Sequence, residues 1–119
     1  MAKNPRFQKL AEEAKQKITE VTATEAGQRQ QQGALLVDVR EGEEFAKEHA
    51  QGALHLSRGT IELKIEEHAP DTATPIVCYC GGGSRSALVA ESLQRMGYTN
   101  VASLTGGYKA WKEQGLPTE

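Results

Sequence analysis

One short segment concentrates the chemistry of this chain: Cys80-Gly81-Gly82-Gly83-Ser84-Arg85-Ser86. A thiol followed by three glycines and an arginine suits a nucleophilic thiolate. The N–H groups of a glycine-rich turn converge into an anion-binding nest. Glycines also let the backbone approach the sulfur and adopt positive φ without strain. A helix opening near Arg85 adds its positive dipole end, and Arg85 adds a cation with a forked donor face. Each effect lowers a thiol's pKa and makes the thiolate available near neutral pH. Taken singly, each also has a plain reading. A glycine-rich strand-to-helix turn can be a tight connection or a phosphate cradle without covalent chemistry, and a cysteine at a strand end can be a small core residue. The convergence of all of them on one sulfur favours the nucleophile.

Spacing narrows the choice of substrate. Four residues separate Cys80 from Arg85, whereas cysteine-dependent phosphatases place five between the two. The shorter loop makes a smaller cradle, better matched to the outer sulfur of a persulfide than to a tetrahedral phosphoryl group.

The elements that must position this loop follow from the pattern around it. Pro75-Ile-Val-Cys-Tyr79 reads as a strand buried on both faces, and so does Ala34-Leu-Leu-Val-Asp-Val39. Shorter strands are expected at 18–21, 53–56 and 101–104. Helices are expected at 4–17, from the Thr22-x-x-Glu25 capping box to the glutamines before Gly33, and at 41–48, 60–68, 85–96 and 108–114. Asn4 is the expected N-cap of the first helix, with Phe7, Leu10, Ala11, Ala14 and Ile18 on its apolar face. Val89, Leu93 and Met96 align on the helix after the glycine loop. Strands alternating with helices mean crossover connections. The fold class is therefore α/β, a three-layer domain with a mainly parallel sheet of about five strands and helices on both faces. In such sheets ligands bind beyond the carboxyl ends of the strands, where the segment after residue 79 lies.

Composition bounds the partners. The chain has 119 residues, 38% apolar and 25% charged, which is one soluble domain. Net charge is −2, without the basic surplus of a nucleic-acid binder, and no apolar run would cross a bilayer. No apolar leader follows Lys3. Cys78 and Cys80 are the only cysteines, and their spacing suits neither a structural disulfide nor a zinc site. Free thiols fit a reducing compartment, so a cytoplasmic location is expected. His49, His55 and His68 lack ligand spacing, and no metal is assigned. Cys78, two residues before Cys80 on the same side of its strand, reads as a small core residue rather than a resolving thiol. Trp111 reads as a core anchor, Gly106-Gly107 as a turn, and Asp38 with Arg40 as structural groups holding adjacent loops.

With these residues in view, residues 18–117 resemble a single-domain rhodanese, and residues 1–17 are then a helical extension. Leu36-Val-Asp38-Val-Arg40 resembles the family's Asp-x-Arg strand end, and Glu43-Glu-Phe45 with His49-Ala-Gln-Gly52-Ala53 its next segment. Cys80 through Ser86 resembles the Cys-x-x-Gly-x-Arg-Ser active loop. Met96-Gly97-Tyr98 and Leu104-Thr-Gly106-Gly107-Tyr-Lys-Ala-Trp111 resemble the closing motifs. The resemblance implies a sulfurtransferase without a cofactor, working as a monomer. Cys80 would carry sulfane sulfur from a small-molecule donor to cyanide, a small thiol or a thiol protein. Gly81, Gly82, Gly83, Ser84 and Arg85 would hold the donor, with Arg58 in a nearby loop either attracting it or simply solvated. Members that favour thiosulfate commonly carry a basic residue early in the loop, where this chain has Gly81 and Gly82, so modest thiosulfate use is expected. A cysteine-dependent phosphatase or arsenate reductase, and a non-catalytic binding module, are the alternatives.

Overall fold

The computed structural model describes residues 4–119; residues 1–3, with Lys3 at the start of the segment expected to hold no apolar leader, lie outside them. Five parallel strands form one sheet in the order β1-β5-β4-β2-β3: β1 (Thr19–Val21), β2 (Leu35–Asp38), β3 (Leu54–His55), β4 (Ile76–Tyr79) and β5 (Val101–Leu104). The helices are α1 (Pro5–Lys15), α2 (Ala23–Gln31), α3 (Gly42–Lys47), α4 (Ile61–His68), α5 (Ser84–Arg95) and α6 (Gly107–Glu113). Every expected element is present, its ends within about two residues of the expectation, as is usual where helices fray. None of the described helices is long and apolar enough to cross a membrane.

Side-chain alternation along the central strands divides the core in two. Val37, Ile76, Cys78, Cys80 and Val101 face Ile61 and Ile65 of α4 and Val89, Ala90 and Leu93 of α5. Leu36, Val77, Tyr79, Ala102 and Leu104 face the other way, onto Ala23 and Ala26 of α2 and Tyr108 and Trp111 of α6. Trp111 is 1% exposed, with its indole N–H donated to the Pro117 carbonyl at 2.8 Å. The capping box of α2 forms as expected, Thr22 and Glu25 exchanging bonds of 2.8 and 3.2 Å.

Three details differ from the sequence reading. Asn4 stands at the start of α1 but caps it with its main-chain carbonyl alone; its side chain makes no capping bond. Leu10 is 51% exposed because α1 lies on α5 through the small residues Ala11 and Ala14, which leaves Leu10 at the rim of that contact. Met96 is 37% exposed because α5 has already ended at Arg95, and the chain turns away at Gly97 (φ +105°).

Candidate active site

Strand β4 delivers Cys80 to the carboxyl edge of the sheet, and α5 begins at Ser84, so only three glycines join them. Gly83, at φ +104°, turns its N–H back onto the sulfur with a bond of 3.0 Å. Ser86, one turn into the helix, donates its hydroxyl to the same Sγ at 3.5 Å. That hydroxyl has one proton, so the 2.8 Å bond between Ser86 Oγ and Ser103 Oγ is donated by Ser103. A buried hydroxyl relay, Ser103 to Ser86 to Cys80, thus backs the sulfur. Ser103 reaches it because parallel pairing registers it with Cys78, which puts their side chains on one face of the sheet.

Burial, at 1% exposure, acts to raise the Cys80 pKa. The Ser86 hydroxyl and N–H and the N–H groups of Gly83 and Gly82 outweigh it, so the thiol is held below its ordinary value. Cys78 has burial without such donors, and its pKa is pushed up to about 12. Two cysteines two residues apart therefore differ in kind: the donors around Cys80 favour its thiolate, and burial keeps Cys78 protonated. Removing the relay should show this. Ser86→Ala should move the inflection of the Cys80 alkylation rate to higher pH and slow alkylation at pH 7 several-fold. An inflection that stays where the wild type has it would rule out the hydroxyl as a stabiliser of the thiolate.

The loop is clamped from behind. The N–H of Tyr108 donates to the Cys80 carbonyl at 2.7 Å and that of Lys109 to the Gly81 carbonyl at 3.3 Å. These bonds engage the loop's carbonyls with the start of α6, while the N–H groups of Gly83 and Ser86 serve the sulfur. Gly107 permits this approach: a Cβ there would lie 2.7 Å from both C and O of Gly81.

Arg85 stands at the mouth. Its Nη2 lies 3.2 Å from where a Gly81 Cβ would be. Its fork is already engaged, with Nη1 and Nη2 on the two carboxylate oxygens of Glu44 at 2.9 and 3.2 Å. Arg58 and Arg85 line one groove of about 600 Å³ beside α5, so the structure brings Arg58 near Arg85, in a groove that Cys80 does not line. Asp38 and Arg40 serve the scaffold, as expected. Arg40 Nε donates to both Asp38 oxygens at 3.1 Å, its Nη2 donates to the Glu48 carbonyl at 2.7 Å, and its guanidinium lies 4.5 Å over the Tyr108 ring. Ser103, Glu44 and the approach of Gly107 escaped the sequence reading. A lone serine in the apolar run 101–104 was a usable signal for the first; Glu44 lies in the Glu43-Glu-Phe45 segment, but nothing in that segment points to Arg85 as its partner.

A glycine-turn cysteine at the carboxyl edge of a parallel five-stranded sheet defines a class of small α/β domains. Within it, the rhodanese-like domain family matches residues 22–114, and the chain belongs to that family. Thiosulfate sulfurtransferase GlpE of Haemophilus influenzae (strain PittEE) is 41% identical over 100 residues, covering 84% of this chain and 93% of that one. The polysulfide-sulfur transferase homodimer of Wolinella succinogenes is 26% identical with a TM-score of 0.83, covering 98% of this chain and 88% of that one. A Rhodopseudomonas palustris protein described as a possible tyrosine phosphatase is 31% identical with a TM-score of 0.83, covering 95% and 93%.

Proposed function

We propose that this protein moves sulfane sulfur through a persulfide on Cys80. The observation that carries the reading is the Cys80 sulfur itself, held under the N–H of Gly83 and the hydroxyl of Ser86 in a four-residue loop. The family and the sulfurtransferases it resembles support the same chemistry. With thiosulfate as donor, the Cys80 thiolate attacks the outer sulfur and forms an S–S bond. The thiosulfate S–S bond breaks with its electron pair, which leaves on sulfite. Cyanide or a thiolate then takes the outer sulfur and returns the electron pair to Cys80. With cyanide the product is thiocyanate. The cysteine carries the sulfur itself, so the two steps call for no cofactor. The reading assigns residues 18–117 to the catalytic domain and residues 1–17 to a helical extension. It places the protein in a reducing compartment such as the cytoplasm, where buried free thiols persist.

A phosphatase reading would need the loop to surround a phosphoryl group, and the four-residue spacing is short for that. The two are separated by incubation with thiosulfate followed by mass spectrometry, beside an aryl phosphate assay. The protein should gain the mass of one sulfur, release sulfite, lose the added mass to cyanide, and leave the aryl phosphate intact. Efficient phosphate release without a sulfur adduct would reverse the assignment.

A further inference from the structure

The cation that should attract a donor is neutralised before any donor arrives. Arg85 is the only basic side chain in the active loop, and Glu44 of α3 holds it through both terminal nitrogens. The pair is about one-third open to solvent, its side chains 29% and 39% exposed, so an anion in solution can reach it. Glu44 is fixed there for a local reason. Its Oε1 also accepts the Glu41 N–H at 3.1 Å, closing the capping box that starts α3. The groove beside Arg85 offers no surplus of positive side chains, because it is lined by three arginines, Arg58, Arg85 and Arg95, and by three glutamates, Glu41, Glu62 and Glu91. A dianion entering this groove therefore meets as many carboxylates as guanidinium groups, and to use the edge of Arg85 that carries both Nη atoms it must displace a carboxylate that holds it bidentately.

We infer that Glu44 is a specificity-determining residue: by occupying the fork of Arg85 it sets the site against doubly charged sulfur donors and favours donors of lower charge. The inference rests on the sulfur-transfer reading for its donors, but its electrostatic content concerns the mouth alone.

Two pairs of reagents test it, each pair alike in reacting atom and different in charge. Thiosulfate and methanethiosulfonate both present a terminal sulfane sulfur, as a dianion and a monoanion. The leaving groups are sulfite and methanesulfinate. Iodoacetate and iodoacetamide both alkylate a thiolate, as an anion and a neutral molecule, without any sulfur transfer. In Glu44→Gln, which keeps the shape of the side chain and removes its charge, two ratios should rise about fivefold. They are kcat/KM for thiosulfate over methanethiosulfonate, and the Cys80 alkylation rate with iodoacetate over iodoacetamide. The scale is that of one partly screened charge near a surface site. Glu44→Asp keeps the charge and disturbs the geometry, and both ratios should stay within about twofold of the wild type. Thermal unfolding identifies any variant that has not folded, and the other then decides the matter.

Ratios that do not move in Glu44→Gln, or that move equally in Glu44→Asp, would overturn the inference and leave Glu44 a mere prop for Arg85. A shifted alkylation ratio in a protein that takes sulfur from neither donor would instead refute the sulfur-transfer reading while supporting the assignment of charge.

Discussion

Cys80→Ser is expected to lose sulfur transfer by a factor of about 10³ or more, and with it the gain of one sulfur atom in mass. The substitution changes little else. A hydroxyl fits the same space, accepts the same bonds from Gly83 and Ser86, and leaves β4 and α5 as they are. It fails because an alcohol is protonated at neutral pH and does not hold sulfane sulfur as a labile group. Cys78→Ser is the matched control, one strand residue pair away on the same face of the sheet. That thiol is fully buried, and its pKa near 12 keeps it protonated. Most activity should survive, at a stability cost of about 1–2 kcal/mol for placing a hydroxyl in an apolar site. Mass spectrometry of both variants after thiosulfate decides the question. Equal loss in the two would mean that the sulfur passes through both thiols and that a single-nucleophile mechanism is wrong.

The contrast between the two cysteines marks how far the sequence could be read. The alternation of β4, its neighbour β2 and the helix after the glycines was visible in apolar periodicity, because both strands are buried on two faces and their residues are apolar almost throughout. The nucleophile was visible because glycines, an arginine and a helix start are adjacent in the chain. What was not visible comes from pairs far apart in it. Ser103 meets Ser86 only through the register of β5 on β4, and Glu44 meets Arg85 across 41 positions. Local pattern contains neither distance. The exposure of Leu10 is a similar case: helical spacing placed it on the apolar face, but the alanines beside it decided how closely α1 could approach α5. The Arg85 expectation was incomplete in a way that matters for function. The sequence indicates a cation near the sulfur, while the fold supplies the carboxylate that claims it.

The same logic gives Gly107 a larger role than a turn. Gly107→Ala should reduce sulfur transfer about 100-fold or more while leaving the sheet folded. The cause is contact rather than backbone preference. At φ +56° the position lies in the left-handed region that an alanine enters at a cost of about 1–2 kcal/mol. The added methyl, however, would overlap the main chain of Cys80 and Gly81, with two atoms of Gly81 at 2.7 Å. Main chain cannot rotate aside as a side chain does, so the loop or α6 must move. Either motion weakens the bonds from Tyr108 and Lys109 that engage the carbonyls of Cys80 and Gly81, and it loosens the orientation of the N–H groups that hold the thiolate. A displacement on the order of 1 Å at a reacting group is enough for a 100-fold loss. Gly33→Ala isolates the alternative. Gly33 has the less favourable φ of +105° and nothing within 4 Å of an added methyl, so it carries the dihedral penalty without the clash. It should lower the unfolding temperature and keep wild-type turnover. The Cys80 alkylation profile adds a second measure, because a displaced loop should raise the thiol's inflection pH in Gly107→Ala alone. If Gly107→Ala turned over within about threefold of the wild type, with an unmoved inflection, α6 would be a neighbour of the active loop and not its clamp.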